Sequence, residues 1–323
     1  MLQALHSFSR RYHQFLTQHR TLIWIALGIY VVGFVAYMLL DNASLTPDRI
    51  VLVLFIAAVA LGQGVRFLRD WLPFMVLFLA YEGLRGLADF SGDVNIGNII
   101  SAERVLTGAT IPTIWLQSQL FHGSPSWLDI ASTTIYFLHF PLPLILAFWL
   151  WLKDKQWYWQ FVTSLLVLCF ASFVTYVIFP AAPPWLAAKD GYLPPVTKII
   201  DHVLVLSPHS MSVSYLYHSL NSNQVAAMPS LHAAFPWLVF LMLWQVVGKK
   251  AAWFLPYCVA VWFSIIYLGE HYVVDVIAGM VYAQAAFFAG TVLYRSIVRR
   301  LASRKLIMTA RAVPALALEQ VVD

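Results

Sequence analysis

Two short stretches hold residue types able to do chemistry: Met228-Pro229-Ser230-Leu231-His232 and Gly269-Glu270-His271-Tyr272-Val273-Val274-Asp275. Pro229 suits the first turn of a helix, where its missing N–H is not needed. Ser230 can cap that helix or donate to an anion, and the unpaired N–H groups and positive dipole end there favour a phosphate. Asp275 follows His271 by four residues, so both side chains leave one helix face. A carboxylate on one imidazole nitrogen leaves the other available as a nucleophile. The second histidine, His232, can protonate a leaving oxygen. Nucleophile, orienter and acid are the parts needed for phosphoryl transfer through a phosphohistidine.

The elements between the two stretches must bring them together. One apolar run extends from about Pro229 to Val247 and another from about Ala251 to Leu268. Together they predict a helical hairpin that returns His271 to the membrane face carrying His232. A lone histidine at a membrane interface is usually a wetted polar residue. The pair, with Asp275 and the Pro-Ser start, argues for chemistry, because ionisable groups at membrane depth are costly.

Composition supports a membrane setting. Of 323 residues, 61% are hydrophobic and only 11% charged, which excludes an ordinary soluble domain. Cys169 and Cys258 both fall in apolar runs and mark neither a disulfide framework nor a metal site. The histidines lack metal-ligand spacing, so no metal and no cofactor is expected.

Further spans are expected at 22–40, 50–65, 71–88, 127–152, 157–179 and from Tyr272 to Ser296. Arg66, Arg69 and Asp70 are expected to mark a turn. With a cytoplasmic lead at 1–20 the prediction is an all-α polytopic membrane bundle of about eight spans. It divides into 1–72 (lead and two N-terminal helices), 73–298 (a six-helix catalytic domain) and 299–323 (a basic tail). Two long connections, 89–126 and 180–228, are expected outside the membrane, with interfacial helices covering the site. Eight spans put 15 of the 20 Lys and Arg residues on one side with both termini. By the positive-inside rule that side is the cytoplasm. The basic pI of about 9.2 is then an orientation signal, not a sign of nucleic-acid binding. The histidine pair falls on the extracytoplasmic side, and the inner (plasma) membrane is the expected location.

Other polar residues are candidate substrate contacts. Glu82, Arg85 and Asp89 share a helix face at spacings of three and four. Arg85 can meet a phosphate while the two acids hold it, or the three can simply neutralise one another. Asn223 and Gln224 precede the Pro-Ser stretch and can donate to a polar headgroup, or serve as ordinary turn residues. Lys189, in the second connection, is a further candidate. His139, among aromatics before Pro141 and Pro143, reads as a packed or helix-bonded histidine beside a proline kink.

Pro229-Ser230-x-His232 and His271-x-x-x-Asp275 resemble the second and third motifs of the type 2 phosphatidic acid phosphatase superfamily, membrane enzymes acting on lipid phosphates. His271-Tyr272-x-x-Asp275-Val276 and Phe179-Pro180-Ala181-Ala182-Pro183-Pro184-Trp185 are similar to the inositol phosphorylceramide and sphingomyelin synthase branch. The resemblance covers roughly residues 73–298, and Glu103-Arg104 resembles an acidic-plus-Arg segment of the same family. It implies a phospholipid donor and either a lipid alcohol such as ceramide or water as acceptor. The superfamily's phosphatases usually carry an Arg six residues before the nucleophile, where this chain has Ile265. A site short of cations matches a singly charged diester better than a monoester. A phosphatase remains the alternative, and a lipid-binding or transport protein a second. A serine protease built on Ser230 is disfavoured, because positions i and i+2 do not face each other on a helix.

Overall fold

The computed structural model describes residues 47–87, 93–205 and 223–319. The expected lead, the span at 22–40, Asp89, the segment 206–222 with His209 and His218, and residues 320–323 lie outside them. The described chain is helical, with two isolated bridges, Asn95 to Ala181 and Ala181 to Ala226, in place of any strand.

Helix α1 (Pro47–Ala60) leads through a turn at Gly62 into α2 (Gly64–Leu87). The expected turn at Arg66, Arg69 and Asp70 is corrected: α2 runs through them. Asp70 is buried, accepts from Trp151 Nε1 at 2.9 Å, and lies 3.2 Å from Arg69 and 3.9 Å from Arg66. Lys155 completes the cluster, so these charges are satisfied by packing and need no loop. Phe67 stacks on Trp71 at 4.7 Å and meets Trp151 edge-on at 5.6 Å, which fixes α2 in the core.

The first long connection folds into two short helices, α3 (Gly97–Thr107) and α4 (Pro112–Leu120). Gly108, at φ 71°, closes α3, and Pro112 opens α4. Next come α5 (Trp127–Leu138), started by a Ser126–Asp129 capping box, and α6 (Pro141–Lys153). They meet at 44° because Pro141 cannot continue the preceding hydrogen-bond ladder. Helix α7 (Lys155–Ile178) follows, then the short α8 (Pro184–Lys189) and α9 (Ile199–Val205).

The expected hairpin forms. Helix α10 (Leu231–Val247) ends at Gly248 with φ 65°; a 3-10 turn (Gly248–Phe254) then leads into α11 (Leu255–Tyr267). Cys258 Sγ donates to Pro236 O at 3.6 Å and Trp262 Nε1 to Ala233 O at 3.3 Å, an antiparallel register. Helix α12 (Val273–Glu319) then runs on past the expected end of the last span, through the polar tail.

Helix α12 packs closely on α7 and α10, and two glycines permit it. A Cβ on Gly290 would stand 2.3 Å from Ser164 Oγ, and one on Gly279 would stand 2.3 Å from Ser230 O. By length and apolarity, three helical stretches among the described residues can cross a membrane: Lys155–Ile178, Leu231–Tyr267 (which folds back at Gly248) and Val273–Ser303. Helices α5 and α6 make a fourth if they act as one bent span. The described residues are thus all-helical, and the protein is an integral membrane protein.

Candidate active site

The site lies where α10 and α12 begin. Ser230 is the N-cap of α10; its Oγ accepts from Ala233 N at 3.3 Å, and its backbone N–H donates to Asp275 O at 3.1 Å. The two helix starts are therefore tied directly. The first-turn N–H groups of Leu231 and His232 are those that an α-helix leaves without an intrahelical acceptor. The Pro-Ser lead is held from α7, where the Tyr176 hydroxyl donates to Pro229 O at 2.8 Å.

His271 sits in the tight turn between α11 and α12. Gly269, at φ 86°, makes that turn, and the N–H groups of Glu270 and His271 both reach Ile265 O at 3.1 Å. His271 is buried to 4% exposure and Asp275 to 0%. His271 Nδ1 lies 3.5 Å from Asp275 Oδ2, an oxygen that also accepts from Tyr272 N at 2.9 Å. The other imidazole nitrogen, Nε2, faces His232 Nδ1 at 2.9 Å. The three expected catalytic side chains thus stand in one line, Asp275–His271–His232.

His232 is only half-buried, and neighbours fix its ring. Tyr136 stacks on it at 4.5 Å and 29°, and His139 meets it edge-on at 4.2 Å. His139 Nδ1 is bonded to the Tyr136 carbonyl, and its ring stacks on Phe235 at 6.3 Å. It is a packed, helix-bonded histidine at the α5–α6 break, and it also touches the site.

Arg85 lies near the end of α2 and pairs with Glu82 at 3.4 Å. The bundle places it within electrostatic range of His139 and His232. Asn223 is buried; its carboxamide donates to Arg85 O at 3.4 Å and accepts from Val225 N at 3.0 Å. In this structure it pins the segment behind Arg85. Gln224 is exposed in the next turn, and Lys189 is exposed at the end of α8.

The proline-rich stretch joins the parts together. Asn95 N donates to Pro180 O at 2.8 Å, Ala181 N to Val225 O at 2.6 Å, and Trp185 N to Gly269 O at 3.2 Å. Both long connections and the His271 turn are thereby stitched to one segment.

Two side chains that sequence reasoning did not assign hold the same turn. Gln117, on α4, donates to Thr197 O at 2.8 Å and Tyr267 O at 2.9 Å, and accepts from Thr197 N at 2.9 Å. Glu103, on α3, takes the N–H groups of Val273 at 3.1 Å and Val274 at 2.9 Å. Burial pushes the Glu103 carboxyl above its usual range, and nearby Asp275 adds to the push, while the two N–H bonds pull it back. The available signal for Glu103 was its resemblance, together with Arg104, to an acidic-plus-Arg segment of the family. No group of residues among those described could hold a metal ion.

This is a helical membrane scaffold with a carboxylate-oriented histidine facing a second histidine. Residues 98–289 match the family described as the PAP2 superfamily, and the chain belongs to it. It is an enzyme of that superfamily. The chain is similar to phosphoinositol dihydroceramide synthase of Bacteroides thetaiotaomicron, 24% identical over 268 residues, 79% of this chain and 86% of that protein. It is also similar to the inositol phosphorylceramide synthase catalytic subunit AUR1 of Saccharomyces cerevisiae, 30% identical over 120 residues. That match spans 34% of this chain and 28% of the yeast protein. No solved structure matches the chain. The family is the one the motifs resembled, and both relatives bear the names of synthases from the expected branch.

Proposed function

We propose that the protein moves a phospho-headgroup, phosphoinositol or one like it, from a glycerophospholipid to a lipid alcohol such as ceramide. The observation that carries this reading is the Asp275–His271–His232 line. Asp275 orients His271 through Nδ1, so that Nε2 attacks phosphorus. A P–N bond forms and the P–O bond to diacylglycerol breaks, with His232 delivering a proton to the departing oxygen. The headgroup then stays on His271 as a phosphohistidine. His232, now basic, takes the proton of the acceptor hydroxyl as it attacks phosphorus, and the P–N bond breaks. The N–H groups of Leu231 and His232, together with Arg85, hold the phosphoryl oxygens. Glu82 steadies Arg85. Ser230, Asn223, Gln224 and Lys189 complete the candidate contacts. The names of the two relatives support phosphoinositol as the group and a ceramide-type alcohol as acceptor.

The topology that goes with this reading has about eight spans, two before residue 73 and six in the catalytic domain up to 298, with a basic tail after it. Both termini face the cytoplasm and the histidines face the opposite side of the inner membrane. The distribution of Lys and Arg supports this orientation.

The test uses purified protein in mixed micelles with fluorescent ceramide and phosphatidylinositol, and separately with labelled phosphatidic acid. A new phosphosphingolipid is the expected product. Free phosphate from phosphatidic acid, with no transfer, would replace this reading by a phosphatase. His271→Ala and His232→Ala should each nearly abolish turnover in a folded protein; substantial activity in either would overturn the phosphohistidine route.

A further inference from the structure

Glu103 makes an unusual contact for a side chain on a peripheral helix. It is fully buried, and its two carboxylate oxygens each accept one of two successive N–H groups, 170 and 171 residues away in sequence. Those groups belong to Val273 and Val274, the first residues of α12. The preceding N–H, that of Tyr272, is taken by Asp275. Two carboxylates therefore fill the start of the helix that carries the nucleophile's orienter. An anionic side chain is favoured at a helix start. Here it comes from a different helix, and it leaves no room there for a substrate phosphate. The phosphate is left to the start of α10, where Ser230 and Asp275 tie the two helices together.

Two consequences follow for the chemistry. The backbone from Tyr272 to Asp275 is fixed from outside, which sets the angle at which Asp275 meets His271. A second carboxylate also lies behind Asp275, so this side of the site carries two acidic groups. The titratable groups facing Glu103 are Asp275 and Tyr272, with His271 beyond Asp275.

We infer that Glu103 is a positioning residue for the transfer reaction, acting through the α12 start on Asp275 and His271. The inference rests on the phosphohistidine reading above. Its test compares Glu103→Gln, Glu103→Asp and Glu103→Ala in the full-length protein, measuring kcat, KM, the pH profile of kcat and the melting temperature. His271→Ala is run in parallel.

Glu103→Gln keeps one acceptor but removes the charge. It should lower kcat by about 10- to 100-fold, as loss of an orienting partner does, with KM within about two-fold. Its acid limb should move to lower pH, because the negative charge behind the Asp275–His271 pair is gone. Glu103→Asp keeps the charge but is too short to reach both N–H groups. It should lose kcat with the acid limb unmoved. Glu103→Ala should combine both effects. A Glu103→Gln protein with unchanged kcat and pH profile would overturn the inference, leaving a simple helix cap. So would equal losses in all three variants that track the melting temperature alone. Activity in His271→Ala would instead strike at the phosphohistidine reading.

Discussion

Gly279 offers a sharp test of how the two histidines are held together. A Cβ at this position would stand 2.3 Å from the carbonyl oxygen of Ser230 and 3.2 Å from its carbon. The obstacle is backbone, which cannot rotate away. Ordinary contact for such a pair is roughly 3.3 Å, so Gly279→Ala must push α12 about 1 Å from the start of α10. That seam is the one that sets the 2.9 Å approach of His232 to His271. A misplacement of about 1 Å can reduce turnover by about 100-fold. The overpacking itself should destabilise by about 1–3 kcal/mol. Stability loss alone could lower activity, so a control is needed. Gly290 supplies it, since a Cβ there would stand 2.3 Å from Ser164 Oγ, on the same helix about 16 Å further from the site. The assay is headgroup transfer in mixed micelles, with the melting temperature read on the same preparations. Both variants should lose comparable stability, but only Gly279→Ala should lose most of its kcat. Equal kcat for the two at equal melting temperature would refute the claim that this seam sets the catalytic geometry.

Two other substitutions probe the support and the phosphate. Gln117→Ala strips partners from Thr197 N, Thr197 O and Tyr267 O together. It should destabilise by about 1–3 kcal/mol per group left unsatisfied, and lower kcat through the loosened His271 turn. Thermal unfolding and transfer rate check this, and an unchanged melting temperature would count against it. Arg85→Ala should raise the donor KM about ten-fold or more with a smaller change in kcat, because a charged hydrogen bond to a phosphoryl oxygen is lost. An unchanged donor KM would remove Arg85 from the site.

The Asp275–His271–His232 line was legible in the sequence because its signals are local. Ser230 before an apolar run announces a helix start, although Pro229 stands ahead of that cap and not in the first turn. The expected single helix face for His271 and Asp275 is corrected: α12 begins at Val273, so His271 reaches Asp275 from the preceding turn. The hairpin was legible because two apolar runs separated by Gly248-Lys249-Lys250 have little choice but to fold back. Glu103 and Gln117 were not legible as supports, since each acts on backbone 80 or more residues away and that pairing exists only once the bundle is packed. The same holds for Gly279, whose lack of a side chain has meaning only opposite Ser230. Asp70 misled in the other direction. Three charged residues within five positions read as a turn, yet Trp151 and Lys155, from a later part of the chain, satisfy Asp70 inside a continuous helix.

The resting contact between the histidines bears on how the reaction begins. On the proposed route His271 Nε2 attacks phosphorus, and in this structure it is hydrogen-bonded to His232 Nδ1. In-line attack needs phosphorus about 3–3.5 Å from that nitrogen, and the leaving oxygen beyond it within about 3 Å of the acid. The two nitrogens must then stand roughly 6–7 Å apart, more than twice their present separation. His271 has little freedom to yield, because Ile265 O, Asp275 and the Glu103-capped helix start all hold its turn. His232 is the half-exposed partner, held by aromatic faces instead of hydrogen bonds from its own ring to backbone. A slide of the imidazole along Tyr136 opens the gap without breaking a buried polar contact other than the one to His271 that phosphorus replaces. On the proposed route the rigid side of the site therefore carries the nucleophile and the half-exposed side the acid. That division suits a reaction in which His271 keeps the phosphoryl group while His232 serves first one lipid oxygen and then another.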